Sequence, residues 1–451
     1  MELEQEPPVV KPGQTITTVT DRMSSIVLAE HMPLSWAIGL GFSLFLLLVL
    51  FASIGYLILA GVGIWGINIP VAWGFAIVNF VWWIGIGHAG TLISAMLLLL
   101  RQEWRTSINR FAEAMTIFAL SSAALFPLIH LGRLWLFYWM VPYPNSMELL
   151  PQFRSPLLWD FYAVFTYFAV SLLFWYMGLV PDLATLRDRA QNRLARSVYG
   201  FFALGWRGSA VDWLRYENQY FLLAALATPL VISVHSIVGL DFAVSVVPGW
   251  HTTISPPFFV VGAVFSGFAM VLLLAIPLRW FFRLEAFITM HHLDNLAKLL
   301  LATGLLVTYG YLMEIFHGWY TGSIFEEATL LNRFFGDYAP LYWTMLLANA
   351  LVPQLFWFRR ARRSLPVLFI VAFIVLIGMW LERFIVVIAS LYRDYLPSAW
   401  GFFTPTIWDW ATLLGSMGLF LTLMFLFVRF LPVISIFEMR ELVAEKEDEE
   451  Q

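Results

Sequence analysis

The sequence contains no cysteine. That excludes disulfides, thiolate nucleophiles, thiolate-bound zinc and any cysteine-held iron–sulfur cluster, so a metal that carries electrons here belongs to another subunit. Charge is scarce as well. Only 12% of the 451 residues are charged, against 60% hydrophobic, and mean hydropathy is +0.77, far too apolar for a water-soluble domain of this size. The solvent must be lipid. The net charge of -4 is small, and acid is concentrated in the terminal run from Glu445 to Glu450, five carboxylates in six residues, which reads as a solvated end. Charge therefore gives no case for a nucleic-acid partner. A Walker A loop, an HExxH pair and a serine nucleophile elbow are all lacking, which leaves soluble-type catalysis without support. Residues 1–32 lack the basic and apolar regions of a cleavable signal and are expected to remain as a cytoplasmic arm.

What is present is a series of long apolar stretches. A span needs roughly 20 apolar residues, and ten stretches qualify: 33–64, 71–100, 111–140, 157–180, 220–246, 257–280, 296–319, 338–357, 365–391 and 408–428. The expected fold is all-α and integral to the membrane, with a ten-helix domain over 33–431 and an acidic cytoplasmic tail over 432–451. Alternate links are rich in arginine, among them Arg101, Arg105, Arg110, Arg187, Arg189, Arg193, Arg196, Arg207 and Arg215, whereas the others hold only Arg154, Arg333 and Arg393. The positive-inside rule then puts both termini in the cytoplasm. The segment IGIGHAGTLISAMLLLLR at 84–101 resembles VVGAVFSGFAMVLLLAIPLR at 260–279, and SPLLWDFY at 155–162 resembles APLYWTML at 339–346. This parallel repeat predicts two four-helix bundles, helices two to five and six to nine, with helices one and ten outside them.

A charge at membrane depth costs about 2.5–3.5 kcal/mol on insertion scales, so each one asks for a partner or a purpose. Counting along the helices places His130, Arg133, Asp160, Asp241, Glu314, His317, Glu382 and Arg383 towards the outer ends of five helices, with His235 a little deeper. The inner half of the same spans is expected to hold far fewer such groups. One reading is structural ion pairing that clamps helices together. The other is a site exchanging protons with the outside, since a histidine beside a carboxylate can take a proton from a bound hydroxyl. His88 sits mid-helix among small residues that permit close helix approach, without an obvious histidine partner at equal depth for a haem. Aromatic residues reach 17%, with Trp82 and Trp83 as candidate walls for a flat ring or as part of an interfacial belt.

The run WWIGIGHAGTLISA at 82–95, the doubled four-helix plan and the outer polar cluster resemble the NrfD/PsrC family of quinone-interacting membrane subunits, most closely the ActC-type subunit of bacterial alternative complex III. The likeness extends over nearly the whole chain. It implies a quinol, menaquinol or a relative, oxidised near the periplasmic face of the bacterial inner membrane. It further implies c-type haem subunits, a peripheral iron–sulfur subunit and an NrfD-like sister membrane subunit as partners, with no metal or haem on this chain. Carried over by position, it implies His130, Asp160, Asp241 and Arg383 as the reacting set, Arg133, Glu382, Glu314 and His317 around it, and His88 and His235 on a proton path. Alone the chain is expected to be inactive. A structural ActF-like sister without a quinol site and a secondary transporter stand as alternatives.

Overall fold

The computed structural model describes residues 7–140 and 153–449; the outer link at 141–145 lies outside them. Nine helices among the described residues are long and apolar enough to cross a membrane. They are α2 (Leu34–Ala60), α3 (Gly74–Thr91, continued by a π-helical turn, Leu92–Met96), α4 (Asn109–His130), α5 (Pro156–Arg189), α7 (Ala210–Ala243), α8 (Ser255–Phe281), α9 (Met290–Tyr320), α12 (Leu365–Leu391) and α13 (Ile407–Phe430). The tenth stretch is broken. It begins as α11 (Ala339–Leu346), widens into a π turn at Leu347–Leu351 and tightens into a 3-10 helix at Val352–Trp357, where Pro353 removes a backbone donor. Shorter helices complete the chain: α1 (Ile16–Val27), α6 (Arg193–Phe202), α10 (Ile324–Phe335) and α14 (Ile436–Glu449).

The helices pack as the repeat predicts. α3, α4, α5 and α7 make one bundle and α8, α9, α11 and α12 the other, with α3 and α7 against α8, and α3 against α12, forming the seam. α2 and α13 pair with each other outside, and α13 leans on α4. In α3, 83% of the apolar window is buried, against 22% in α2, so α3 is the axis of the molecule and α2 faces lipid. Small residues make that centrality possible: a Cβ on Gly90 would lie 2.1 Å from the Ala112 carbonyl oxygen of α4, and one on Gly267 of α8 would lie 2.3 Å from the Ala89 Cβ. Trp82 and Trp83 are buried anchors, donating to the Leu376 carbonyl at 3.2 Å and to Ser416 Oγ at 2.9 Å.

Three boundaries differ from the hydropathy reading, and each matters. α5 runs on to Arg189 and α7 already starts at Ala210, where Ser209 and Asp212 form a capping box. Asp182 and Tyr216 thereby become helical and buried. α4 ends at His130, because Gly132 takes φ +69. The described parts of the two terminal segments pack on the rest of the chain. Val19 and Met23 of α1 are buried, Lys11 N–H donates to the Ala286 carbonyl at 3.0 Å, and α1 packs on α14. α14 itself buries Ile436, Met439, Leu442 and Val443, while Glu445 and Glu447 stay exposed.

Candidate functional site

Two clusters of buried polar groups lie at opposite ends of the bundle. Arg110 begins α4 and His130 ends it, so they are separated by about 30 Å at 1.5 Å per residue.

At the end remote from the arginine-rich links, α5 opens with Asp160 and α7 closes with Asp241, the two carboxyls close enough to act on each other. Neighbouring carboxyls form a natural place for a proton, because two like charges repel and one proton between them relieves that. One oxygen of each is buried without a partner. His130 stands on the same end, half-buried, with Nδ1 unpartnered, and among the described residues no hydrogen bond joins it to either aspartate. Arg133 is exposed: the turn at Gly132 takes it beyond the end of α4.

About 9 Å deeper along α7, His235 meets His88 of α3, the ring centroids 4.4 Å apart at 64°. This corrects the expectation that His88 has no partner at its depth. Rings already in contact leave no room for a macrocycle between them. His88 Nδ1 lies 2.6 Å from the Ile84 carbonyl, which can only accept, so Nδ1 carries the hydrogen and the neutral ring offers Nε2 as acceptor. That Nε2 and both nitrogens of His235 are buried and unpartnered. Tyr167 of α5 closes the other side, its ring 5.2 Å from His88 and its hydroxyl 3.0 Å from both the Gly87 carbonyl and Thr91 Oγ1.

The second bundle contributes Glu382 and Arg383 from α12, each about 2% exposed or less. The Arg383 guanidinium sits 4.3 Å above the Phe259 ring and 2.8 Å from Glu382, within electrostatic reach of both histidines. Tyr311 donates to the Glu382 carboxylate, and Asn349 Nδ2 donates to the Tyr311 oxygen at 2.8 Å. Asn349 is presented by the π turn, an irregularity of the kind that often marks functional sites. Glu314 and His317 stand apart from this group. Glu314 pairs with Arg333 of α10 at 2.5 Å, Arg333 also reaching Ser390 Oγ at 3.1 Å, which ties α9, α10 and α12 together. His317 is half-buried one turn further on. The expected set thus divides into Asp160 with Asp241 at the rim, and Arg383 with Glu382, His88 and His235 below.

The other end overturns the expected scarcity of charge in the inner half. Arg110 is wholly buried, with Nη1 3.2 Å from Glu113 and Nη2 bonded to the Gly178 carbonyl at 2.6 Å, Asp182 at 3.1 Å and Ser435 at 3.1 Å. Tyr220 donates to Glu113 at 3.1 Å. The other Asp182 oxygen accepts from the backbone N–H groups of Ile436 and Phe437 at 3.0 and 3.1 Å, so a side chain from α5 caps α14. Glu438 accepts from Arg105 at 3.0 Å and Asn109 at 2.6 Å. The 3-residue spacing of Arg110 and Glu113 was a visible signal of this network; the return of Glu438 was not.

Residues 63–393, which include α3 to α12, match the family described as "Polysulphide reductase, NrfD". The C subunit of the selenate reductase of Mesobacillus selenatarsenatis is 22% identical over 387 residues, covering 81% of this chain and 86% of that protein. The C membrane subunit of a putative dimethyl sulfoxide reductase of Halobacterium salinarum is 27% identical over 232 residues, 49% of each, so the chain spans about half the length of that relative. With the family match running from the start of the first bundle to the end of the second and enclosing the aspartate pair, the histidine pair and Arg383, this chain belongs to the NrfD family of multi-pass membrane subunits.

Proposed function

We propose that this chain is the quinol-binding membrane subunit of a quinol:electron-acceptor oxidoreductase, and that quinol is oxidised at the Asp160–Asp241 end. The observation that carries the reading is that pair: two neighbouring carboxyls, each with an oxygen buried and unpartnered. A hydroxyl brought to them finds an acceptor at once. Oxidation of a quinol to its quinone breaks two O–H bonds and releases two electrons and two protons. The protons go to Asp160 and His130, and Asp241 passes them outward. The electrons leave for an iron–sulfur cluster on a peripheral partner, since this chain has no cysteine to hold one. Arg383 pairs with Glu382 and sets the field around His88 and His235, which form the start of a proton path towards the arginine-rich end. The basic links put that end, and both termini, in the cytoplasm and the aspartate pair towards the periplasm of a bacterial inner membrane.

As its finer assignment the reading takes alternative complex III, with menaquinol as donor, c-type haem subunits as acceptors and an NrfD-like sister subunit beside this one. A second reading is favoured by the two relatives, both named as parts of reductases: the electrons then serve a reductase rather than c-type haems. A transporter fits less well, because a transporter site lies near the midplane on broken helices, and the aspartate pair lies at one end of unbroken ones. The test is quinol:acceptor turnover of the intact membrane complex carrying Asp160→Asn or Asp241→Asn, with the full complement of subunits verified. Loss of turnover in a complete complex supports the reading; unchanged turnover assigns the pair a structural role and this chain the part of a sister subunit without a quinol site.

A further inference from the structure

A long groove opens at the arginine-rich end, about 1230 Å³ in volume, walled by α5, α6, α1 and the end of α13. Its floor is apolar, with Trp175, Leu179, Leu183, Val198 and Phe202 along it, and its rim carries Arg189 and Arg429 together with Asp21 and Glu30. α6 is the unusual wall. In its ten residues Arg193, Arg196, Ser197 and Gly200 fall on one side of the helix, and Leu194, Ala195, Val198, Tyr199, Phe201 and Phe202 on the other. The apolar side is not spent on the protein. Leu194 is 72% exposed and Phe201 74%, and apolar exposure continues through Leu204 to Val211 and Leu214. α6 is nevertheless firmly held, by Tyr176 Oη to the Phe202 carbonyl at 2.7 Å and Tyr199 Oη to the Phe430 carbonyl at 3.1 Å.

Exposed apolar side chains interleaved with arginine are the pattern of a helix seated at the boundary between acyl chains and anionic headgroups. The link from 183 to 215 carries Arg187, Arg189, Arg193, Arg196, Arg207 and Arg215 against Asp188 and Asp212 alone. Arg189 shares its charge with Asp21, and Arg429 is steadied at the rim by the Val27 and Ala29 carbonyls at 2.8 and 3.2 Å. We propose that this groove is a binding site for an anionic phospholipid of the adjoining leaflet, one acyl chain lying along Trp175, Leu179 and Leu183 and the phosphate held at Arg189 and Arg429, the two arginines that line it. The site is separate from the aspartate and histidine clusters and independent of any quinol chemistry.

The experiment is native mass spectrometry of the delipidated full chain titrated with dioleoylphosphatidylglycerol or dioleoylphosphatidylcholine. The expected result is one copy of the glycerol lipid held at least tenfold more tightly than the choline lipid. Arg189→Gln with Arg429→Gln should bring the two lipids to parity. Ala195→Trp, which fills the groove without changing charge, should abolish the bound copy of either. Equal retention of both lipids by the unaltered chain, a preference that survives the arginine changes, or a copy that survives Ala195→Trp overturns the proposal, the last by locating the lipid elsewhere. Should a variant unfold below the parent temperature, the comparison of the two lipids on the unaltered chain decides the matter.

Discussion

Replacing Arg110 by Met tests whether the buried network holds the arginine-rich end together. The guanidinium is 0% exposed and engages two carboxylates, Glu113 at 3.2 Å and Asp182 at 3.1 Å, besides Gly178 and Ser435. Removing one partner of a buried pair costs about 3–5 kcal/mol, because the other charge is left uncompensated. Two carboxylates are left here, which would double the figure if neither had other support. Glu113 keeps the Tyr220 hydroxyl, however, and Asp182 keeps two backbone N–H groups of α14. Charge-assisted bonds of that kind are worth about 1.5–3 kcal/mol each, enough to hold the total near the single-pair value. The expected loss is therefore about 3–5 kcal/mol, measured by denaturant unfolding in mixed micelles. Adding Glu113→Gln and Asp182→Asn removes the stranded charges and should return about half of that loss, by the same reasoning. A single variant within about 1 kcal/mol of the parent, or a triple variant no more stable than the single, would refute the argument from buried charge.

The remaining predictions concern other parts of the molecule. Asp160→Asn and Asp241→Asn should each lower quinol turnover of the assembled complex by about 10²–10⁴-fold, the usual worth of general acid–base catalysis, with every partner still assembled. Tyr311→Phe removes the donor to Glu382 and the acceptor of Asn349, and should cost about 1–3 kcal/mol in unfolding measurements. Gly90→Ala puts a methyl 2.1 Å from the Ala112 carbonyl oxygen and 2.2 Å from Thr116 Oγ1; α3 and α4 must part, at about 1–3 kcal/mol or more, read as a lower unfolding temperature. Met439→Asp buries a charge at a 0% exposed position of α14 and should release that helix, read as protease cleavage within 432–449 that the parent resists.

Much of the architecture was legible in the hydropathy, because lipid forces each crossing to be a helix of sufficient length. The common depth of Asp160 and Asp241 was legible too, since one starts the fourth crossing and the other ends the fifth; that they adjoin was not. His88 and His235 were not matched by the same count. α7 begins at Ala210 and runs for 34 residues, about 51 Å at 1.5 Å each, so it tilts or overhangs and residue number ceases to measure depth. The inner network escaped for a different reason. Arginines near a cytoplasmic boundary satisfy the positive-inside rule, and a residue that fits a topological rule invites no search for its partners. Asp182 fell beyond the apolar stretch that ends at 180, although its helix continues. The break after Leu346 had a visible signal in Asn349 and Pro353, yet the apolar run around them reads as one crossing.

The capping of α14 by Asp182 and the seating of Glu438 on Arg105 and Asn109 set an order of assembly. Asn109 and Glu438 are 329 residues apart in the chain. At roughly 5–20 residues per second of synthesis, they meet on the order of half a minute after the first has left the ribosome. Through that interval Arg105 and Asn109 have no carboxylate, and they must be served by water or by the insertion machinery while eight further crossings are laid down. A chain halted late in synthesis would hold every helix of both bundles and still leave Arg105 without its carboxylate. The last contact to form thus distinguishes a completed chain from one that is merely inserted.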